Sequence, residues 1–305
     1  MSKWITTADE RLSAPSNIKA AIVGTSGAGK TTLARSLNPA DTLFMDGEAG
    51  TLALGSWRGS TLDMLKMAAA LGIPAWEVAR ALACIAAGPD HSDYELTAQG
   101  MVPGPYSPEA HASYVAAIGP RDELLANVRT IYVDSITVAS RWAYAWCARQ
   151  PEALSEKTGK KDTRGVYGLL GKEMVRWLTR LQHAPFNVMV VGILDRHEDE
   201  MHRVTYSPQI EGGKAGRELP GIFDQVMTLT RFNVVDGTLQ HAQLDGTERG
   251  LVCTANPWGL PGKDRSGCLS TVERPDLSAL LAKMNSGQRQ DLTLSNQAPA
   301  GGTLV

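Results

Sequence analysis

The chain has 305 residues, with 30 Lys+Arg against 32 Asp+Glu, and its formal charge of −2 excludes a generally basic nucleic-acid coat while leaving room for a local basic patch. At 43% hydrophobic and 20% charged it can bury a substantial core, as one large domain or two small ones. The longest apolar stretches, Met67–Leu71 and Ala81–Ala87, fall far short of the roughly 20 residues a membrane span needs, so no transmembrane segment is expected.

The opening MSKWITTADERLSAPSN lacks the apolar stretch and cleavage site of a secretory signal, which points to the cytoplasm. Residues 1–17 read as a polar extension. Ile18–Val23 is then an apolar run followed by glycine, as a buried strand entering a turn would be. Further apolar or β-branched runs at Thr42–Met45, Thr130–Val133, Val188–Ile193, Val226–Leu229 and Leu251–Thr254 alternate with helix-like stretches, which predicts an α/β fold. Residues 55–127 read as a mainly helical insertion. Pro74 sits near a helix start, Gly88-Pro89 is a stop, and Ser107-Pro108-Glu109 forms an N-cap, a first helical position and a first-turn acid. Gly100–Pro108 reads as a loop inside it. A domain over 18–284 is followed by a Ser/Gln/Asn/Gly-rich tail, 285–305, with too little apolar surface to offset ordering entropy. Cys84, Cys147, Cys253 and Cys268 contain no CxxC pair and read as reduced structural thiols.

The strongest signal is GTSGAGKT, Gly24 to Thr31, which matches G-x-x-x-x-G-K-[ST] between a predicted strand and the helical run Thr32–Leu37. Gly24, Gly27 and Gly29 let the backbone curl so that the N–H groups of Thr25, Ser26, Ala28 and Thr32 and their neighbours can face phosphate oxygens. Lys30 is expected to neutralise the β- and γ-phosphates, and Thr31 to supply a hydroxyl to Mg²⁺. No guanine-selective NKxD sequence is apparent, so ATP is the expected nucleotide. Thr130-Ile-Tyr-Val-Asp134-Ser135 is an apolar strand ending in a carboxylate, which makes Asp134 the expected Mg²⁺ anchor. Leu43-Phe-Met-Asp46-Gly-Glu48 ends in two acids. Glu48 is the first choice to orient or deprotonate an attacking water, Asp46 competes for that role, and either can instead cap the Gly47–Gly50 turn.

Together GTSGAGKT, FMDGE at 44–48 and IYVDS at 131–135 resemble RecA-like ATPases. The segments Gly212–Val226 and Pro261–Gly267 look more specifically like phage nucleotide-binding proteins of the single-strand-annealing type. That resemblance implies a RecA-like P-loop NTPase fold, a mainly parallel central sheet flanked by helices, with ATP at a boundary between like subunits. It also implies an ATP-dependent role on single-stranded DNA in phage recombination or annealing, in the host-cell cytoplasm. Seven basic residues fall between Lys157 and Arg180. The first of them, Lys157, Lys160, Lys161 and Arg164, lie where RecA-like proteins carry a DNA-contacting loop, and Tyr167 follows as a stacking residue. Lys263 and Arg265 are the preferred cations for a γ-phosphate, with Lys214 and Arg217 as competitors, in cis or in trans. The strand Val188–Ile193 runs into Leu194-Asp195-Arg196 without the Asn-Gln pair of RecA. A P-loop kinase and a nucleotide-regulated interaction protein remain alternative readings.

Overall fold

The computed structural model describes residues 5–13, 17–97, 100–154, 159, 162–212, 214–242 and 245–287. The expected flexible tail falls almost wholly outside them, as do Lys157, Lys160 and Lys161. A short helix α1 (Ala8–Ser13) precedes β1 (Lys19–Gly24), α2 (Lys30–Leu33) with a 3₁₀ turn behind it, and β2 (Thr42–Asp46). The segment expected to be a helical insertion then departs from that description. It opens with a strand, β3 (Ser60–Asp63), which joins the main sheet, and continues through α3 (Met64–Leu71) and α4 (Ala75–Ala87). A two-stranded hairpin, β4 (Tyr94–Thr97) and β5 (Gly100–Pro103), follows, then α5 (Pro108–Ile118) and α6 (Arg121–Leu124). Gly100–Pro103 is therefore strand, because its backbone pairs with β4 from Tyr94↔Pro103 to Thr97↔Gly100. The punctuation signals do match: Pro74 precedes α4, and the Ser107 hydroxyl accepts from Ala110 N at 3.2 Å to cap α5.

Next come β6 (Thr130–Asp134), α7 (Ile136–Cys147), α8 (Thr163–Gln182), β7 (Asn187–Glu198), β8 (Val204–Pro208) and α9 (Lys214–Ile222). The chain finishes through β9 (Gln225–Val235), β10 (Thr238–His241), β11 (Glu248–Val252), β12 (Lys263–Asp264), β13 (Val272–Glu273) and α10 (Leu277–Asn285). The main path of the large sheet runs β13-β11-β9-β1-β7-β6-β2-β3. From β9 to β3 every neighbouring pair is parallel, while β11 and β13 add antiparallel strands at the far side. This is the mainly parallel, helix-flanked sheet that the resemblance implied.

Strand alternation decides which face each residue serves. Ile22, Phe44, Tyr132, Met189 and Val191 pack with Leu33 and Leu280 beneath α2 and α10. Leu43, Met45, Ile131, Val133, Val188 and Val190 pack on the other face against α4, α7 and α8, with Trp76, Ala139, Leu170 and Trp177. Asp134 shares the parity of Tyr132, so it opens toward α2. Among the described residues no single helix is long and apolar enough to cross a membrane; the apolar α4 is instead interior, with Val78, Ala81 and Ile85 fully buried.

The insertion is locked to the core by ions. Arg80 of α4 meets Glu173 of α8 at 3.1 Å, Trp76 Nε1 donates to the same carboxylate at 3.2 Å, and the Arg80 guanidinium lies 4.3 Å over Trp146. Lys172 pairs with Glu95 at 3.1 Å, Arg176 with Asp93 and Glu95, and Arg180 with Asp90 at 3.8 Å. The last three residues of the basic run, Lys172, Arg176 and Arg180, thus fasten β4 and its flanks. All four cysteines are free and buried, and burial pushes the Cys84 and Cys147 thiols up to about 12.

Candidate nucleotide site

The site forms at the C-terminal edge of the parallel strands, where an open α/β sheet presents its loops. The register aligns Asp46, Asp134 and Val191 in one row, and Gly24 of β1 stands beside Ile193. Leaving β1, the chain curls through Gly27 at φ 78° and Gly29 at φ 103°, conformations that glycine adopts without a Cβ clash. Gly24 is needed for a different reason: a Cβ there would stand 2.5 Å from the Leu229 carbonyl oxygen of the neighbouring β9.

Lys30 opens α2 and folds its ammonium back into the curl, donating to Gly24 O at 2.8 Å and Thr25 O at 2.9 Å. Burial lowers its pKa, and the nearby Asp134 and Glu48 oppose that shift. The Thr31 hydroxyl donates to Asp134 Oδ2 at 2.6 Å, although β7 stands between the strands that carry the two segments. Burial raises the Asp134 pKa to about 6, with Glu48 and Asp46 adding to the rise and the Thr31 hydroxyl and Lys30 opposing it. Gly50 closes the other side, its Cβ position 3.4 Å from Thr31 Cγ2 and 3.6 Å from Asp134 Oδ2. One hydroxyl and one buried carboxylate form a hard, oxygen-only donor pair. That set fits Mg²⁺, which takes few protein ligands and keeps several waters.

The two competing acids separate cleanly. Asp46 is buried and spends Oδ1 on the backbone, accepting from Glu48 N at 3.0 Å and Gly50 N at 3.1 Å, so it is the residue that caps the turn. Glu48 points outward, exposed, with Oε1 receiving the Ser135 hydroxyl. Its other oxygen has no hydrogen-bond partner among the described residues. The peptide bond Asp134–Ser135 is cis, and Gly47 N donates to Asp134 O at 2.7 Å, joining the β2 and β6 ends that carry both acids.

Three groups near the site escaped the sequence reading. The Tyr132 hydroxyl, buried on β6, donates to Lys30 O at 2.6 Å and holds the first turn of α2 from below. Its i,i+2 relation to Asp134 was the available signal. Ser135 was read only as part of the strand end, yet it holds Glu48. Arg249 of β11 also comes to the loop, its Nη1 3.1 Å from the Cβ position of Gly29, and nothing local in the sequence marks it.

The expected γ-phosphate cations do not join this cluster. Lys263 and Asp264 pair with Val226 and Gln225 at the start of β9, the opposite end of the strands from Gly24. Lys263 Nζ donates to Phe223 O at 2.8 Å and to Pro220 O, and Arg265 pairs with Asp224 at 2.7 Å. Neither serves the phosphate loop of its own chain. Arg217 is exposed on α9 and lines a cleft with Asp195 and His197 of β7, and the side chain of Lys214 lies outside the described atoms. Arg164 is exposed near the start of α8, its backbone N–H donating to Asp162 Oδ1 at 3.0 Å and its guanidinium in no ion pair among the described residues, while the Tyr167 ring stands 5.5 Å from that of Tyr144. The Asp195–His202 segment, which superficially resembles a metal motif, is the β7–β8 hairpin, where His197 meets Ser207 at 3.0 Å and His202 meets Glu198 at 2.8 Å.

No curated protein matches the chain. The family model of the AAA domain matches residues 16–266, a span that takes in the phosphate loop, both acidic strand ends and the insertion. The chain therefore belongs to the AAA-domain family of P-loop nucleoside triphosphatases.

Proposed function

We propose that the chain is a RecA-like hydrolase of Mg·ATP that acts, as an oligomer in the cytoplasm of a phage-infected cell, on single-stranded DNA in recombination or annealing. One observation carries the hydrolytic part: Lys30, Thr31, Asp134 and an outward Glu48 meet at one strand edge, with Glu48 held by Ser135. The loop amides and Lys30 bind the phosphate chain, the ammonium exchanging two carbonyl oxygens for phosphate oxygens. Thr31 and Asp134 would hold a magnesium ion, whose positive charge would offset that of the phosphate oxygens. Ser135 fixes one oxygen of Glu48, so that the other accepts a hydrogen bond from the attacking water and takes its proton. Tyr132 fixes the Lys30 backbone while this happens.

The DNA part rests on the basic run at Lys157, Lys160, Lys161 and Arg164 and on the resemblance carried by Gly212–Val226 and Pro261–Gly267. Lys263 and Arg265 face away from their own phosphate loop, so in this reading they serve a neighbouring subunit.

The test is ATP turnover with and without single-stranded DNA. Glu48→Gln retains nucleotide binding and loses turnover by about 10²–10⁴-fold; turnover at the wild-type rate removes Glu48 from the reaction. Lys160→Ala with Lys161→Ala weakens DNA binding and flattens its salt dependence, and unchanged affinity and slope would remove that loop from the DNA site. Phosphate appearing on an added nucleoside instead of water would replace the hydrolase with a kinase.

A further inference from the structure

A cavity of about 360 Å³ adjoins the phosphate loop on the side away from Glu48 and Asp134. Gly29 and Thr32 of the loop and α2 form one wall, Arg35 and Leu229 extend it, and Arg249 and Pro275 close it. The acids lie toward β6 and β2, whereas Leu229 and Arg249 lie on β9 and β11, across β1 in the sheet order. A triphosphate whose γ end faces Glu48 and whose middle lies in the loop must send its sugar and base the other way, and this cavity is where that direction leads. From the geometry we infer that the cavity is the nucleoside subsite and that the Arg249 guanidinium lies against the face of the base. The inference rests on the nucleotide-binding reading above and adds the residues that hold the nucleoside.

Three features support Arg249 in that role. Its side chain has no hydrogen-bond or ion-pair partner among the described residues, although its strand is fixed by pairing Arg249↔Arg231 with β9. Its guanidinium already lies against the loop, at 3.1 Å from the Cβ position of Gly29, so a planar cation is held at the junction between phosphate and nucleoside. A guanidinium stacks its plane on an aromatic ring, whereas an ammonium offers that ring only a compact, strongly hydrated charge. The described lining also contains no carboxylate, so no acid is present to accept from the N1–H and amino group of a guanine. This chemistry suits a purine held by its face, with Pro275 as an apolar wall.

The experiment measures binding of ATP, ADP and inorganic tripolyphosphate, each with magnesium, to wild type, Arg249→Ala and Arg249→Lys. Arg249→Ala is expected to weaken ATP and ADP alike by about tenfold and to leave tripolyphosphate within about twofold. Retained tripolyphosphate binding also reports that the variant is folded at the loop. Arg249→Lys is expected to recover only part of that loss, because the charge remains and the plane is gone. Unchanged ATP affinity in Arg249→Ala overturns the subsite role. Equal losses for ATP and tripolyphosphate, or full rescue by lysine, overturn it in favour of a phosphate contact. Failure of the wild-type chain to bind ATP or tripolyphosphate at all would instead strike the nucleotide-binding reading beneath it.

Discussion

Tyr132→Phe removes a single oxygen from beneath the phosphate loop and so tests whether the β6 strand holds that loop in place. The hydroxyl donates to Lys30 O at 2.6 Å, and the ring is fully buried. The residue four positions on, Ala34, sends its N–H to Thr31 O and Thr32 O, so the phenol takes the place of the ordinary helical donor to Lys30. Phenylalanine preserves the ring and its 5.6 Å stacking on Phe44. The change is therefore confined to one buried carbonyl left without its partner, a loss of about 1–3 kcal/mol. For a domain of this size that lowers the melting temperature by roughly 2–10 °C. Because the affected carbonyl belongs to Lys30 itself, ATP affinity is expected to fall by about threefold to tenfold. Urea unfolding and an ATP titration on the same preparation check both effects. A urea midpoint and an ATP affinity equal to those of wild type would refute the argument that the phenol positions the loop.

Three further outcomes follow from the same geometry. Glu173→Ala leaves the Arg80 guanidinium buried without its carboxylate and is expected to cost about 3–5 kcal/mol in urea unfolding, with Arg80→Met/Glu173→Leu recovering part of it; a loss below about 1 kcal/mol would make the pair a surface-like contact. Gly24→Ala drives a Cβ to 2.5 Å from Leu229 O and must part β1 from β9, a cost of about 1–3 kcal/mol accompanied by weaker nucleotide binding; wild-type stability and affinity would show that the strands yield freely. Lys19 is buried, donating to Phe186 O at 2.5 Å, and burial lowers its pKa from 10.5 to about 8 against the opposing pull of Asp224. Between those values the unfolded chain binds the extra proton, so this residue makes stability rise with pH through that window and weighs against the fold below it. The stability of wild type relative to Lys19→Met should then increase by about 1.5 kcal/mol between roughly pH 8 and 9.5, and a difference flat across that range contradicts the burial argument.

The strands that build the site were legible because each buries both faces and so shows an apolar run: Ile18–Val23, Thr42–Met45 and Thr130–Val133 lie within one residue of β1, β2 and β6. The phosphate loop was legible because its glycines, lysine and threonine are adjacent in the chain. β3 was not, since Ser-Thr-Leu-Asp has no such run and gains its order from pairing with β2, a partner that local pattern does not reveal. The hairpin at Gly100–Pro103 was missed for the same reason. Asp46 and Glu48 looked interchangeable in sequence; only the turn decides that one carboxylate is consumed by backbone amides and the other remains outward. Long-range contacts were the deepest omission. Lys172, Arg176 and Arg180 looked only like the end of a basic run until Asp90, Asp93 and Glu95 arrived from about 80 residues upstream. Arg249 reaches the loop only through the antiparallel strand that carries it.

The most direct test of the nucleotide site is a calorimetric titration of Mg·ATP into wild type, Lys30→Ala and Thr31→Ala. Wild type is expected to bind saturably and to lose affinity when magnesium is chelated. Lys30→Ala should fall by at least about tenfold, and Thr31→Ala should lose the dependence on magnesium. Absence of binding by wild type, or equal affinity in Lys30→Ala, would contradict the account at its centre.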